Sequence, residues 1–443
     1  MNTSPGGTDA AGASQEVTDT SSDTGQEYQA TPERELDIVV YGATGFVGRL
    51  VAEYLAKAAP SRVRIGLAGR SAEKLAAIRA GLPAAAAQWP LIVADASDVQ
   101  ALAAMAGSTR VVASTVGPYA RYGMPLVAAC ASVGTHYADL TGEVLFVRQC
   151  ADDFDAVARE SGAKIVNSCG FDSIPSDLGV FETYRAAQAA GAGTLRDTRF
   201  VLTGMRGGFS GGTIDSLRNQ VDVAAADPSV GRIVADPFAL SPDRSAEPPT
   251  GRDLVDNDSL GIGWDRQVGA WTGPFVMASF NTRIVRRSNA LLDWAYGDDF
   301  HYREVTGFGS SPLGPLLAGG MAVGMAGLVA GMRFGPARTL LDRVLPAPGE
   351  GPSEETRRKG YFKAEIHAET ESGRRVRTVV AAQGDPGYAA TSVMLGESAL
   401  CLALDTDLLP DRAGVLTPAS AMGARLSDRL RAAGFTIESH LRV

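Results

Sequence analysis

Residues 36–48 read Leu-Asp-Ile-Val-Val-Tyr-Gly-Ala-Thr-Gly-Phe-Val-Gly, and this stretch decides the fold of the chain. An apolar run leads directly into glycines at positions 42, 45 and 48, and a helical pattern follows. The G-x-x-G-x-x-G spacing is looser than G-x-G-x-x-G, but it still gives a tight strand-to-helix turn whose backbone can touch a pyrophosphate. Glycines that only form a turn are the alternative. Because strand, glycines and helix come in the right order, the stretch predicts nucleotide binding.

The composition is that of a globular protein with more than one domain. The chain has 443 residues, of which 45% are hydrophobic and 21% charged. A net charge of −9 and the lack of a basic stripe argue against nucleic-acid binding. Cys130, Cys150, Cys169 and Cys401 lie far apart in sequence, so neither a metal site nor a disulfide scaffold is indicated. These features, with no apolar signal region at the N-terminus, lead us to expect a cytoplasmic protein.

The hydrophobic pattern divides the chain into four segments. Residues 1–34 form a polar tail that is expected to be disordered. Residues 35–180 alternate strands with helices, which predicts an α/β fold with a Rossmann-type, doubly wound parallel sheet that binds NADP. Residues 181–390 predict a second α+β domain for substrate binding and dimerisation. Residues 391–443 predict C-terminal helices that return to the Rossmann domain.

The predicted elements follow the same division. Six strands are predicted in the first domain, at 38–41, 63–68, 91–94, 111–115, 136–138 and 164–167. In the second domain, a strand at 199–205 and a hairpin of 361–369 with 374–382 are predicted. Two helices, at 391–404 and 419–433, are predicted to end the chain.

An apolar segment, residues 312–332, interrupts the second domain. It lies in a longer stretch, 305–332, that carries no charged residue, and it is long enough to cross a bilayer as a helix. Its many glycines and alanines make each residue only modestly hydrophobic, so a buried or interfacial helix is an equal alternative. The basic residues Arg333, Arg338 and Arg343 would favour an anionic membrane surface. We expect contact with one leaflet, at the inner face of the plasma membrane, or a covering of protein.

The ends of the predicted strands indicate which dinucleotide binds. An NAD site usually has an acidic residue about 20 residues after the glycines, on the ribose 2′-hydroxyl. Here Arg70 and Ser71 occupy that position, which suits a 2′-phosphate, although Arg70 can also be an ordinary surface residue. NADPH is therefore the expected cofactor. The residues expected to bind it are Gly42, Thr44, Gly45, Phe46, Gly48, Arg70, Ser71, Asp95, Thr115, Gly117 and Pro118.

Three residues that follow strands are candidates for catalysis: Tyr119, His136 and Asp172. A tyrosine can donate a hydrogen bond to a carbonyl oxygen as charge develops, and a histidine or a carboxyl group can move a proton. Structural alternatives exist for each, since Asp172 can cap a helix and a tyrosine can fill the core. No Tyr-x-x-x-Lys pair is evident, so the short-chain dehydrogenase mechanism is unsupported.

Several motifs occur in an order that resembles the saccharopine dehydrogenase-like oxidoreductases, and most closely the mycobacterial trans-acting enoyl reductases. The likeness runs from about residue 36 to the C-terminus. The motifs are those at 40–49, 67–70, 116–119, 136–143, 170–177, 384–391 and 414–419. The resemblance implies a Rossmann domain, a second α+β domain, and NADPH-dependent reduction of a carbon–carbon double bond.

The resemblance also implies a substrate and a partner. The substrate would be a lipid or polyketide intermediate held as a thioester, and the partner a modular polyketide synthase that lacks its own enoyl reductase. The products would be (glyco)lipids of the cell envelope, and a homodimer is one expected assembly. The alternative is a non-catalytic, membrane- or lipid-associated protein that keeps the nucleotide-binding fold as a scaffold.

Overall fold

The parallel sheet is built from the strands that the apolar runs predict. The computed structural model describes residues 34–208, 226–247, 261–333 and 351–442, with Met1 and residues 211, 215, 216, 218, 222, 223 and 258. The predicted tail, 1–34, lies outside the described residues except at its two ends. All described residues from Arg34 onward belong to one compact unit. Strands β1–β6 are Leu36–Tyr41, Ile65–Gly69, Leu91–Val93, Thr109–Ser114, His136–Ala138 and Lys164–Val166.

Helices connect these strands and cover both faces of the sheet. Helices α1–α7 are Phe46–Ala58, Ala72–Ala80, Val99–Ser108, Tyr119–Tyr122, Met124–Val133, Val144–Ser161 and Ile174–Ala189. The strands run in the order β6-β5-β4-β1-β2-β3, all parallel, so the direction of winding reverses between β1 and β4. In open α/β sheets, ligands bind outside the carboxyl ends of the strands at such a switch point. The fold therefore confirms the predicted doubly wound sheet.

A second, mixed sheet follows in the chain. Its strands β7–β12 are Leu195–Arg206, Gly263–Asp265, Ala270–Pro274, His301–Gly307, Tyr361–Thr370 and Arg375–Gln383. Helices α8–α11 are Pro228–Ala235, Ala278–Leu291, Gly314–Arg333 and Glu354–Lys359. The order is β12-β11-β7-β10-β9-β8, in which β7 and β10 are parallel and the other pairs antiparallel. The predicted strand at 199–205 and the hairpin are confirmed.

The C-terminal chain contributes to both sheets. The remaining elements are α12 Thr391–Leu404, β13 Gly414–Leu416, α13 Pro418–Ala421, α14 Gly423–Ala432 and β14 Thr436–Arg442. Strand β13 pairs with β6 in the first sheet, and β14 pairs with β12 in the second. The prediction of helices alone after residue 391 therefore misses two strands, and the predicted helix 419–433 is divided at Met422. The boundaries predicted at residues 180 and 390 stay a prediction.

The apolar segment forms helix α10, close to the predicted 312–332. Among the described residues, only the stretch Pro386–Leu404 is long and apolar enough to cross a membrane, and most of it is buried inside the protein. This burial is typical of the core helix of a globular protein. Of the basic residues expected after the segment, Arg338 and Arg343 lie outside the described residues.

A buried carboxyl group, that of Asp177, connects three helices: α7, α9 and α13. Asp177, near the start of α7, accepts hydrogen bonds from the Ser288 hydroxyl of α9 and from the backbone N–H of Ala419, 2.7 Å away. Complete burial raises the pKa of Asp177 from 3.8 to about 7. The folded protein therefore holds a proton on Asp177 at pH values where an unfolded chain releases it.

This pKa shift predicts a pH dependence of stability. Between 3.8 and about 7 the folded state binds more protons than the unfolded state, so the free energy of unfolding falls as the pH rises through that window. Asp177→Asn, which carries a neutral amide, is expected to make this fall smaller. Urea unfolding at a series of pH values measures it, with Asp98→Asn at an exposed helix cap as the control. An unchanged slope in Asp177→Asn would contradict the assignment.

Candidate functional site

The turn between β1 and α1 is held by a close approach of backbone groups. Gly42 has φ +86°, a conformation that favours glycine. A Cβ on Gly48 would lie 2.2 Å from the Gly42 carbonyl oxygen, so only glycine fits there. The Thr115 hydroxyl, at the end of β4, lies 3.2 Å from the Tyr41 oxygen and 3.3 Å from the Gly42 oxygen, to which it donates. The turn is thereby fixed at the switch point between β1 and β4.

The N-terminus of α1 is suited to a pyrophosphate. The helix begins at Phe46. Its N-cap is Gly45, which is exposed and has no side chain that could bond the first N–H groups. A Cβ on Gly45 would meet only the Gly42 oxygen, at 3.2 Å, so the space in front of the helix is open. The Phe46 ring packs edge-on against Tyr388, with the Arg357 guanidinium 5.3 Å from its centre. Unsatisfied N–H groups at a helix start are an anion site.

The adenosine half of a dinucleotide is expected at the neighbouring strand ends. Arg70 is exposed directly after β2, and Ser71 caps α2 by accepting from the Lys74 backbone N–H. Asp95 accepts from the Ser97 N–H and hydroxyl, at 2.9 and 2.6 Å, and these bonds, with the nearby Arg70 charge, lower its pKa. Arg70 is thus placed where a 2′-phosphate would lie, beside a carboxylate that suits a polar sugar or base edge.

A cavity of about 480 Å³ opens beside this edge of the sheet. Val47, Thr115 and Gly117 line the end next to the dinucleotide, where the nicotinamide ring is expected. The rest of the lining is mainly apolar and comes largely from the second sheet, from the start of α9 and from α10. Its side chains include Leu202, Met205, Phe275, Met277, Phe280, Met321, Met325 and Leu328. The cavity thus joins a dinucleotide site to an apolar chamber, which is the general form of a pocket for an apolar substrate.

Of the predicted cofactor residues, most lie along one edge of the sheet. Gly42, Thr115 and Gly117 belong to the turns after β1 and β4, and the Gly117–Pro118 bond is cis. Thr44 lies between Gly42 and the start of α1, with its hydroxyl 3.6 Å from where a Cβ on Gly69 would be. The strand order brings these ends together.

Tyr119 lines the cavity, but its hydroxyl is already used in the protein. It donates to the Ser114 carbonyl oxygen and accepts from the Leu140 N–H, both at 3.1 Å. Burial raises its pKa well above the usual value. Tyr119 therefore joins two strand-end turns, and the structure favours a supporting role for it over a catalytic one.

His136 lies away from the cavity. It is the first residue of β5, at the amino end of the strand, whereas the cavity lies at the carboxyl ends. Its Nδ1 accepts from the Lys164 N–H at 3.1 Å, and burial lowers its pKa to about 4. The structure thus places His136 apart from the cavity and favours a structural role for it, and its part in proton transfer stays a prediction. Asp139, at the other end of the strand, is bound by the N–H groups of Thr141 and Ser168.

Asp172 is the one carboxyl group among the described residues that line the cavity. Asp172 lies beside Gly142: a Cβ added to Gly142 would be 3.8 Å from the Asp172 Oδ2. The N-cap of α7 is the next residue, Ser173, whose hydroxyl donates to Asn281. Of the three catalytic candidates, Asp172 is the one whose position suits proton transfer.

One important residue was not singled out from the sequence. Glu143 is buried, and its carboxylate accepts from the N–H groups of Tyr119 and Ala120 at 2.8 and 2.9 Å and from the Ser216 hydroxyl at 2.7 Å. It therefore holds the loop that follows β4, next to the expected nicotinamide. A charged residue at the end of the 136–143 motif is the signal that could have indicated it.

Two glycines of the turn are expected to respond differently to substitution. Gly45→Val should remain folded and lose dinucleotide binding, because its side chain would project into the open anion site. Gly48→Ala should lose about 2 kcal/mol of stability, because its methyl group meets a backbone oxygen. Calorimetry with NADPH and urea unfolding test the pair. A folded Gly45→Val protein with normal affinity would refute the phosphate-site assignment.

Arg70 is expected to select the cofactor. Arg70→Ala should weaken NADPH binding by roughly 1.5–3 kcal/mol, the range for hydrogen bonds to charged groups, and leave NADH binding almost unchanged. Arg79→Ala, at the other end of α2, is the control for removing a positive charge. Titrations with both cofactors measure the effect, and equal losses for NADPH and NADH would exclude Arg70 from the 2′-phosphate site.

Comparison with known proteins agrees with this geometry. Residues 38–166 match the sequence model of the saccharopine dehydrogenase NADP binding domain. Among solved structures, apo saccharopine dehydrogenase (L-Glu forming) from Saccharomyces cerevisiae aligns with a TM-score of 0.51 and 14% identity, over 92% of this chain and 100% of that one. That likeness concerns the fold alone.

Sequence relatives are much closer. A provisionally named trans-acting enoyl reductase of Mycobacterium tuberculosis is 51% identical over 93% of this chain and 98% of its own length. The trans-acting enoyl reductase of Mycobacterium bovis is 48% identical over 91% of this chain and 97% of its own. The chain therefore belongs to the family of trans-acting enoyl reductases, NADP-dependent oxidoreductases with a saccharopine dehydrogenase-like fold.

Proposed function

We propose that this protein reduces the carbon–carbon double bond of an α,β-unsaturated acyl thioester, with NADPH as the reductant. The observation that carries the proposal is the shared cavity, which runs from the expected nicotinamide position at Thr115 and Gly117 into an apolar chamber. Bound NADPH supplies a hydride. An acyl chain in the chamber would place its double bond near the mouth, between the dinucleotide and Asp172.

The lining of the cavity supports an acyl substrate over an amino acid with several carboxylates. Among the described residues that line it there is no Lys, Arg or His, so nothing there would pair with a carboxylate. Two arginines of the second sheet, Arg199 and Arg303, line a different cavity, where both contact Asp265. The methionines Met205, Met277, Met321 and Met325 suit chains of varied shape, since their side chains adapt readily.

Side chains of the protein would donate the proton and stabilise the developing negative charge. When a hydride reaches the β carbon, negative charge develops on the thioester oxygen and a proton must reach the α carbon. Asp172 is the carboxyl group placed to supply that proton, and the Ser279 hydroxyl, also on the cavity wall, can donate to the oxygen. One NADPH and one proton are consumed for each double bond.

The family supports a finer proposal for the substrate. The names of the relatives describe enzymes that act in trans, which supports a polyketide synthase as the partner that presents the thioester. We infer a lipid or polyketide intermediate on the route to cell-envelope (glyco)lipids. The volume of the cavity, about 480 Å³, and its apolar lining agree with such a chain.

Turnover with a defined thioester tests this function. NADPH consumption is followed with a 2-enoyl phosphopantetheine thioester and with the saturated thioester as a blank, and we expect oxidation only with the former. Asp172→Asn should lower kcat by about 100-fold or more while NADPH affinity is retained, as for loss of an acid–base group. Asp153→Asn, an exposed carboxyl group on α6, is the control.

The outcomes separate the alternatives. Tight NADPH binding without turnover of any enoyl thioester would favour a non-catalytic scaffold. Full activity in Asp172→Asn would show that another group or water supplies the proton, and would remove Asp172 from the mechanism.

A further inference from the structure

Helix α10 carries large apolar side chains on its outer surface. Leu313, just before the helix, is 62% exposed, Leu316 is 73% exposed and Val323 is 75% exposed. Leu317 and Met321 are 56% and 43% exposed. Isolated exposed apolar residues are normal on a protein surface, but a cluster of this kind marks an interaction site.

Helix α10 packs against the second sheet at its N-terminal end, and there is open space beside the rest of it. Gly314 packs on Trp271, where an added Cβ would lie 2.7 Å from the ring, and Ala318 is fully buried. At Gly320, Gly324 and Gly327, by contrast, an added Cβ would meet nothing within 4 Å. The second half of the helix therefore has open space beside it, part of which is the cavity that Gly320 and Gly324 line.

Two residues of the second sheet extend the apolar surface. Ile262 is 45% exposed and comes within 3.8 Å of the position of a Cβ on Gly319. Trp264 is 46% exposed and packs edge-on against Trp271, which contacts the start of the helix. We call the continuous surface the docking face; it consists of Ile262, Trp264, Leu313, Leu316, Leu317, Met321 and Val323.

The chemistry of the docking face fits lipid better than protein. Residues 305–332 contain no Asp, Glu, Lys, Arg or His, so the helix offers almost no polar rim. Protein interfaces are bordered by polar groups and carry about one hydrogen bond per 100–200 Å². A half-exposed tryptophan beside leucines is typical of the membrane–water interface. In the sequence, the first charged residues after the stretch are Arg333 and Arg338, both basic, which suits anionic lipid.

We propose that the docking face binds the interfacial layer of an anionic lipid membrane. The helix, about 30 Å long at 1.5 Å per residue, lies in one leaflet. A single crossing of the bilayer would put the strands on either side of the helix, β10 and β11, on opposite sides of the membrane. Both strands belong to the same sheet, where each pairs with β7.

The same helix forms a wall of the substrate cavity. Met321, Met325 and Leu328 line the cavity, so the docking face and the apolar chamber share helix α10 and meet at Met321, which belongs to both. An acyl chain could therefore pass between the leaflet and the chamber without crossing water. This last step rests on the proposed function, whereas the docking itself does not.

Vesicle flotation of the full chain, without substrate, tests the docking. We expect binding to vesicles of phosphatidylglycerol and phosphatidylethanolamine, and weaker binding to phosphatidylcholine alone. The double variant Leu316→Glu with Val323→Glu should reduce binding by about tenfold or more, because charges are placed in the apolar layer. The matched control is Val99→Glu with Leu408→Glu, at residues 62% and 67% exposed elsewhere, which should bind as the unchanged protein does.

Further measurements keep the result interpretable. NADPH affinity and the unfolding midpoint of the Leu316/Val323 variant should be unchanged, which shows that its fold is intact. Brominated lipid should quench tryptophan fluorescence, and Trp264→Phe should remove most of that quenching.

Absence of vesicle binding, or binding that the glutamates leave intact, would overturn the proposal. A dimer in lipid-free solution that the glutamates dissociate would assign the docking face to a second copy of the chain instead. Failure of enoyl turnover would leave the vesicle result untouched.

Discussion

The close approach of Gly42 and Gly48 is the constraint on which the rest of the structure depends. With no side chain at Gly48, α1 can lie directly over the turn, and a single methyl group would meet the Gly42 oxygen at 2.2 Å. The Thr115 hydroxyl then ties the turn to β4. The helix start, the strand ends and the mouth of the cavity are thereby fixed in one place, where a dinucleotide and an apolar chain can meet.

The first sheet could be predicted because most of its strands are buried on both faces. Such strands appear as short apolar runs, and 136–138 and 164–167 were found at almost their true bounds. Strand β14 was missed because Glu438 and His440 place polar side chains on its exposed face, at the edge of the second sheet. Strands β8 and β9 were missed because their Gly, Asp and Pro residues resemble a loop.

The site was predictable where it is local and unpredictable where it depends on tertiary contacts. The phosphate turn and Arg70 each follow directly from a strand in the sequence, whereas the chamber brings together residues as far apart as Leu202 and Leu328. The position of His136 away from the cavity could not be predicted from the sequence, for a simple reason. Strand β5 is only three residues long, and a motif covering both of its ends does not indicate which end faces the ligand.

The position of β13 has a consequence for how the chain is made. The first sheet takes its seventh strand from Gly414–Leu416, after the whole of the second sheet except β14 has been synthesised. The nucleotide-binding half therefore leaves the ribosome with an open edge at β6. The sheet is complete only after residues 414–416 have been synthesised. Sheet closure between such distant segments is slow, because the entropy of a long loop must be lost first. The two sheets therefore reach their complete form together. A chain truncated before residue 414 would expose the edge of strand β6 as a site for aggregation.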